Sequence, residues 1–119
     1  FGDGNTIRKY SYIFDIVKGI YAGLEYNSSD YEVINLGNNT PISLNTLIGS
    51  IENVCGEKSI INRQPDQPGD VAITYANITK AQKLLGYQPK MDLNDGLRLF
   101  YNWLNNTPAY ANKEAHVTY

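Results

Sequence analysis

The sequence predicts an α/β fold on three observations. Strand-like and helix-like periodicities alternate along the chain, capping residues and glycines mark the helix ends, and 119 residues suffice for one modest domain with its own core. Residues 10–26, YSYIFDIVKGIYAGLEY, begin with strand-like alternation and then change period. Ile16, Val17, Ile20 and Leu24 share one helical face, with Asp15 as the expected N-cap. Gly19 and Gly23 weaken a helix unless something packs close against it, so this helix is expected to dock tightly. Residues 31–36, YEVINL, read as a short buried strand ending at Gly37 and the turn-rich NNTP. Ser43 caps a helix with Leu44, Leu47, Ile48, Ile51 and Val54 inward, closing at Gly56, and Cys55 is expected to be buried in it. Residues 58–62, KSIIN, read as another strand. After a proline-rich loop, Asn77 or Thr79 starts a helix with Ile78, Ala81, Leu84 and Leu85 inward and Gly86 at its end. Asp92 caps the last helix, which carries Leu93, Leu97, Phe100, Tyr101 and Leu104. From Thr107 the sequence has no period, and residues 107–119 are expected to form a flexible tail.

Composition narrows the function. Ten Lys and Arg against twelve Asp and Glu give a formal charge of −2, so no basic field exists to attract nucleic acid or an anionic membrane. No apolar run approaches the ~20 residues of a membrane span, and no signal-like start is present, so a cytoplasmic protein is expected. Cys55 is the only cysteine and His116 the only histidine, which leaves no internal disulfide, no Cys/His metal site and no Ser/His or Cys/His couple. Neither a G-x-G-x-x-G turn nor a Walker A loop occurs, and no tyrosine is followed four residues later by lysine. The chain alone is therefore expected to hold no catalytic residues and to bind no cofactor. Asp66 and Asp70 sit in a solvated loop with nothing to raise either pKa, which argues against a hydrolytic pair. The Asn-x-Ser/Thr triplets at Asn27, Asn38, Asn77 and Asn105 read as chance in an Asn-rich chain. The opening FGDG looks like the middle of a loop, and the chain is expected to be a piece of something longer.

Three blocks in order carry a resemblance. FGDGNTIRKYSYIFDIVKGI resembles the segment of NAD-dependent nucleotide-sugar epimerases and dehydratases that reads Gly-Asp-Gly, then Arg-Asp-Tyr-x-Tyr-Ile-x-Asp-Ile-Val. YEVINLGNNTPISLNTLIGSIENVCG is similar to the family's Asn-Leu-Gly strand, loop and helix, and QPGDVAITYANITKAQKLLGYQPK to its Gly-Asp loop and helix. The wording resembles the UDP-glucuronate 4-epimerase branch most. The resemblance implies an α/β fragment: residues 1–56 as the last strand and helices of a Rossmann-type domain, and residues 57–106 as the small nucleotide-sugar-binding domain. It also implies NAD for the full-length parent, C4 epimerisation of a UDP-sugar such as UDP-glucuronate, and an isolated chain that is inactive.

A sugar nucleotide needs a cation on its diphosphate and acceptors for its ribose hydroxyls, because a dianion leaving water must meet donors. By the resemblance, Arg8 is the phosphate-contacting arginine, Asp70 the ribose acceptor, and Gln67 a neighbour of the phosphates. A surface salt bridge for Arg8 and a plain rigid turn at residues 67–70 are the structural alternatives. Pro65 and Pro68 would keep the loop at low entropy before a ligand arrives. Asn35 and Gly37 are expected to serve the strand end. Lys9 stands where the family has aspartate, and Phe14 where it commonly has an acid, which alters the charge around Arg8. These departures, with helices expected to expose an apolar face, leave open an alternative: a standalone, non-catalytic interaction module. On either reading, self-association through those helices is expected and UDP-sugar binding is expected to be weak or lost.

Overall fold

A computed structural model describes residues 1–74 and 76–107, so the expected tail beyond Thr107 lies outside the described residues. Along the chain come β1 (Ile7–Arg8), α1 (Ile13–Glu25), β2 (Ile42–Ser43), α2 (Leu44–Cys55), α3 (Thr79–Leu85) and α4 (Leu93–Asn106). β1 and β2 pair antiparallel, with Ile7 opposite Ser43 and Arg8 opposite Ile42, and Ile7 also bridges Ile73 in parallel. α1 lies on α3, and α2 lies on α4.

Local chemistry sets most helix ends where expected. Ser43 Oγ accepts from the Thr46 amide at 3.0 Å, and Asp92 Oδ1 accepts from the Asn94 amide at 2.8 Å. Gly56 (φ 76°) and Gly86 (φ 63°) close α2 and α3 in the left-handed conformation that glycine adopts without a Cβ clash. Asn77 Oδ1 accepts from the Thr79 amide at 3.0 Å just ahead of α3.

α1 departs from expectation. It begins at Ile13 behind Tyr12, whose side chain makes no capping bond, so Asp15 is not the N-cap but lies in the first turn. The Asp15 side chain is buried, and its Oδ2 accepts from the amides of Lys90 and Met91, each at 3.0 Å. A first-turn carboxylate suits the helix dipole, and two backbone donors in a part-buried turn need an acceptor. The apolar face of this helix is exposed, as expected. Asp15 and Gly19 are buried, while Val17, Ile20 and Leu24 are exposed. A Cβ on Gly19 would lie 2.7 Å from Leu36 Cδ2 and 2.9 Å from the Tyr87 ring, so the absence of a side chain allows this approach; Gly23 has open space beside it.

The core is small: Ile78, Ala81 and Tyr87 are buried, with Ile34, Leu36, Ala76 and Leu85 packed around them. Leu84 and Ile51, expected inward, are exposed, as is Phe100, and Cys55 is only half-buried at the end of α2. No strand forms at residues 31–36 or 58–62. A strand needs a neighbour to take its amides and carbonyls, and among the described residues the ladder is limited to β1, β2 and the Ile73 bridge. The radius of gyration is 17.6 Å; a compact chain of this length has about 13.5 Å. Among the described residues no helix is long and apolar enough to cross a membrane.

Candidate functional site

The site is built where the first residues of the chain hold both ends of the long proline loop. The Gly2 amide donates to the Gln64 carbonyl at 2.8 Å, the Ile7 amide to the Ala72 carbonyl at 2.8 Å, and the Thr74 amide to the Ile7 carbonyl at 3.2 Å. Arg63 Nη2 donates to Asn45 Oδ1 at 2.6 Å, while the Asn45 amide donates to the Gly4 carbonyl at 2.9 Å, so α2 braces the same corner. Between these anchors Gln67, Pro68, Gly69 and Asp70 make a turn. The Asp70 amide donates to the Gln67 carbonyl at 3.1 Å, and Gly69 takes φ 88°.

This anchoring carries Asp70 to Arg8. Arg8 Nη2 donates to Asp70 Oδ1 at 2.8 Å, and Arg8 Nη1 to the Ile7 carbonyl at 2.9 Å. The pair joins residues 62 apart and stays open to solvent, with side-chain exposures of 28% and 48%. Gln67 shares the turn with Asp70 through the backbone and is exposed, as are Pro65 and Pro68. The structure thus brings Arg8 and Asp70 into direct contact and sets Gln67 three residues away on the same turn.

Arg8 also lines a cleft of about 450 Å³ with Lys9, Ser11, Asn35, Gly37 and Asn77. Asn35 and Gly37, expected to end a strand, are part of this wall. Ser11 Oγ accepts from the Asn38 amide at 3.0 Å, and the Tyr87 hydroxyl donates to the Gly37 carbonyl at 3.0 Å, which ties the wall to the core. Burial pushes the Tyr87 phenol above its ordinary pKa, and the Asp15 carboxylate adds to the shift. Sequence reasoning missed Tyr87, Ser11 and Arg63, because each acts through a partner distant in the chain.

The NAD implied by the resemblance finds no cradle among the described residues. A dinucleotide's pyrophosphate needs a helix N-terminus opened by glycine. Here α1 starts behind Tyr12, α2 behind Ser43, α3 behind Ile78 and α4 behind Asp92, and the Ser43 and Asp92 side chains already occupy their helix starts. Among the described residues no group of three His, Cys, Asp or Glu could hold a metal ion.

Comparison with known proteins agrees with the blocks read from the sequence. The GDP-mannose 4,6 dehydratase family matches residues 1–100. A UDP-glucuronate 4-epimerase of Thermodesulfobacterium geofontis is 39% identical over 87% of this chain and 32% of its own length. An uncharacterised protein of Methanocaldococcus jannaschii is 43% identical over 84% of this chain and 30% of its own length. The crystal structure of UDP-glucuronic acid 4-epimerase from Bacillus cereus, in complex with UDP-glucuronic acid and NAD, superposes with a TM-score of 0.78 at 36% identity, over 87% of this chain and 33% of that one. The chain spans about a third of the length of the relatives it matches, and the superposition bears out the α/β class. With that fold, and with the matched blocks covering nearly all of the described residues, the chain belongs to the family of NAD-dependent nucleotide-sugar epimerases and dehydratases.

Proposed function

We propose that this chain is the carboxyl-terminal, nucleotide-holding part of a UDP-sugar 4-epimerase, and that alone it binds the nucleotide weakly and turns nothing over. The observation that carries this reading is the meeting of Arg8 and Asp70 at 2.8 Å, in a chain whose relatives are about three times longer. Arg8 supplies a planar, permanently charged fork for the diphosphate, Asp70 supplies acceptors for the ribose hydroxyls, and Gln67 stands near the phosphates. In this reading residues 1–56 end a Rossmann-type part and residues 57–106 form the small domain. The parent reaction would be NAD-dependent oxidation at C4 of a UDP-sugar such as UDP-glucuronate, rotation of the ketose, and return of the hydride. No Tyr-x-x-x-Lys pair is present to take the hydroxyl proton, so the isolated chain lacks the acid-base group of that cycle.

Calorimetric titration of UDP tests the proposal. Weak binding that disappears in Arg8→Gln is expected, since half a site keeps only part of the contacts. UDP binding unaffected by Arg8→Gln would defeat it.

The exposed apolar face of α1 favours a second reading, a non-catalytic interaction module. In the isolated chain we infer that a second copy covers this face, an expectation both readings share. A module that associates and ignores UDP at millimolar concentration would replace the first reading with the second.

A further inference from the structure

We propose that Asp70 is a selectivity gate on Arg8: it keeps bare anions off the guanidinium and yields to nucleoside diphosphates. The inference rests on the nucleotide-holding role of Arg8 and goes beyond it. In the unliganded chain one guanidinium nitrogen is tied to the Ile7 carbonyl at 2.9 Å and another to the Asp70 carboxylate at 2.8 Å. The cation is therefore already paired with a carboxylate before any ligand arrives. Its own end is fixed, because Arg8 pairs with Ile42 in the β1–β2 ladder. The carboxylate is the partner free to move. Asp70 sits on a turn whose backbone hydrogen bond runs, among the described residues, to Gln67, and its side chain is 48% exposed. The anchors at Ala72 and Thr74 lie beyond it, so a rotation of the Asp70 side chain releases Arg8 without dismantling the loop.

The consequence differs between ligands. Inorganic pyrophosphate that takes the donor now held by Asp70 leaves that carboxylate with water, and it must also approach a carboxylate of its own sign. A nucleoside diphosphate brings its own compensation, because the ribose hydroxyls donate to the displaced carboxylate while the phosphates replace it on the guanidinium. The ion pair thus becomes an exchange in which both partners are re-satisfied. The ligand class selected carries a diphosphate and a vicinal diol a short distance apart.

The test titrates UDP and inorganic pyrophosphate into the 119-residue chain, followed through the Arg side-chain N–H resonances, for the native sequence, Asp70→Asn and Arg8→Gln. Native protein is expected to prefer UDP. In Asp70→Asn, pyrophosphate affinity should rise about five-fold, the effect of removing one half-exposed ion pair, while UDP affinity stays level or falls, so the preference collapses. Asp70→Ser, which also removes the charge, should behave the same way and guards against a peculiarity of the amide. If Asp70→Asn leaves pyrophosphate affinity unchanged or lower while Arg8→Gln loses both ligands, the gate is wrong and the nucleotide site stands. If Arg8→Gln changes neither ligand, or neither binds any form, the nucleotide site itself is wrong and the gate falls with it.

Discussion

The face of α1 that carries Asp15 and Gly19 is buried, while the face that carries Ile13, Val17, Ile20 and Leu24 is between 48% and 80% exposed. A surface helix ordinarily does the reverse, turning its apolar stripe inward. Here the inward face is held by two hydrogen bonds to one carboxylate and by the close approach of Leu36 and Tyr87 to a bare glycine. The outward face holds apolar area that would gain about 1–2 kcal/mol per side chain on being covered. The contrast teaches that the small buried knot stabilises this chain, while the larger apolar surface of α1 contributes nothing to it until something covers it.

The comparison breaks most visibly at the knot. Asp15→Ala leaves the Lys90 and Met91 amides without their acceptor and should cost about 3 kcal/mol in chemical denaturation. Asp15→Asn keeps an acceptor oxygen at the same place and should cost only about 1 kcal/mol. Equal losses for the two variants would mean that charge, not the pair of hydrogen bonds, holds the turn.

Neither partner of Asp15 was legible beforehand. A lone aspartate near a helix start reads as a cap, because capping is local and its signal lies within four residues; bonds to amides 75 and 76 positions away leave no trace in spacing. The caps at Ser43 and Asp92 and the stops at Gly56 and Gly86 were legible for the same reason: each is decided within one turn of helix. The strands expected at residues 31–36 and 58–62 failed because strand propensity becomes structure only when another edge is available. Arg8, Gln67 and Asp70 came from the resemblance and not from composition, and only the fold brings Arg8 onto Asp70. The cleft wall at Ser11, Asn35 and Gly37 was missed, since polar side chains and glycines beside a turn carry no chemical signature until the turn is placed.

Smaller effects sharpen the contrast. Tyr87→Phe removes the buried hydroxyl that donates to the Gly37 carbonyl and should cost about 1.5 kcal/mol. The two glycines of α1 should respond with opposite signs. Gly19→Ala gains helix propensity but drives a methyl group against Leu36 and Tyr87, for a net loss of about 1 kcal/mol. Gly23→Ala meets open space and should stabilise the chain by up to about 1 kcal/mol. Thermal melts of both variants check the pair, and a gain at Gly19 would show that the close docking is not there.

The least effect is expected at the other carboxylate clamp, Glu52, whose cationic partner Lys58 is exposed. Lys58 Nζ donates to it at 2.8 Å, the Ser59 hydroxyl at 2.6 Å and the Ser59 amide at 2.9 Å, and together they hold its carboxyl down to about 2 from an ordinary 4.5. A pKa lowered in the folded chain gives stability that is full above 4.5 and is lost as pH falls through that window toward 2. The Ser59 amide shift should titrate near pH 2; a midpoint near 4.5 would mean that the clamp is absent in solution.

The most direct test of the two-faced helix is sedimentation across a concentration series, with the native chain beside Ile20→Glu. The native chain should associate as concentration rises, whereas Ile20→Glu should stay monomeric with unchanged helix content and a denaturation midpoint close to that of native monomer. A native chain that sediments as a monomer at every concentration, or an Ile20→Glu variant that unfolds, would contradict the division between a stabilising knot and the proposed apolar interface.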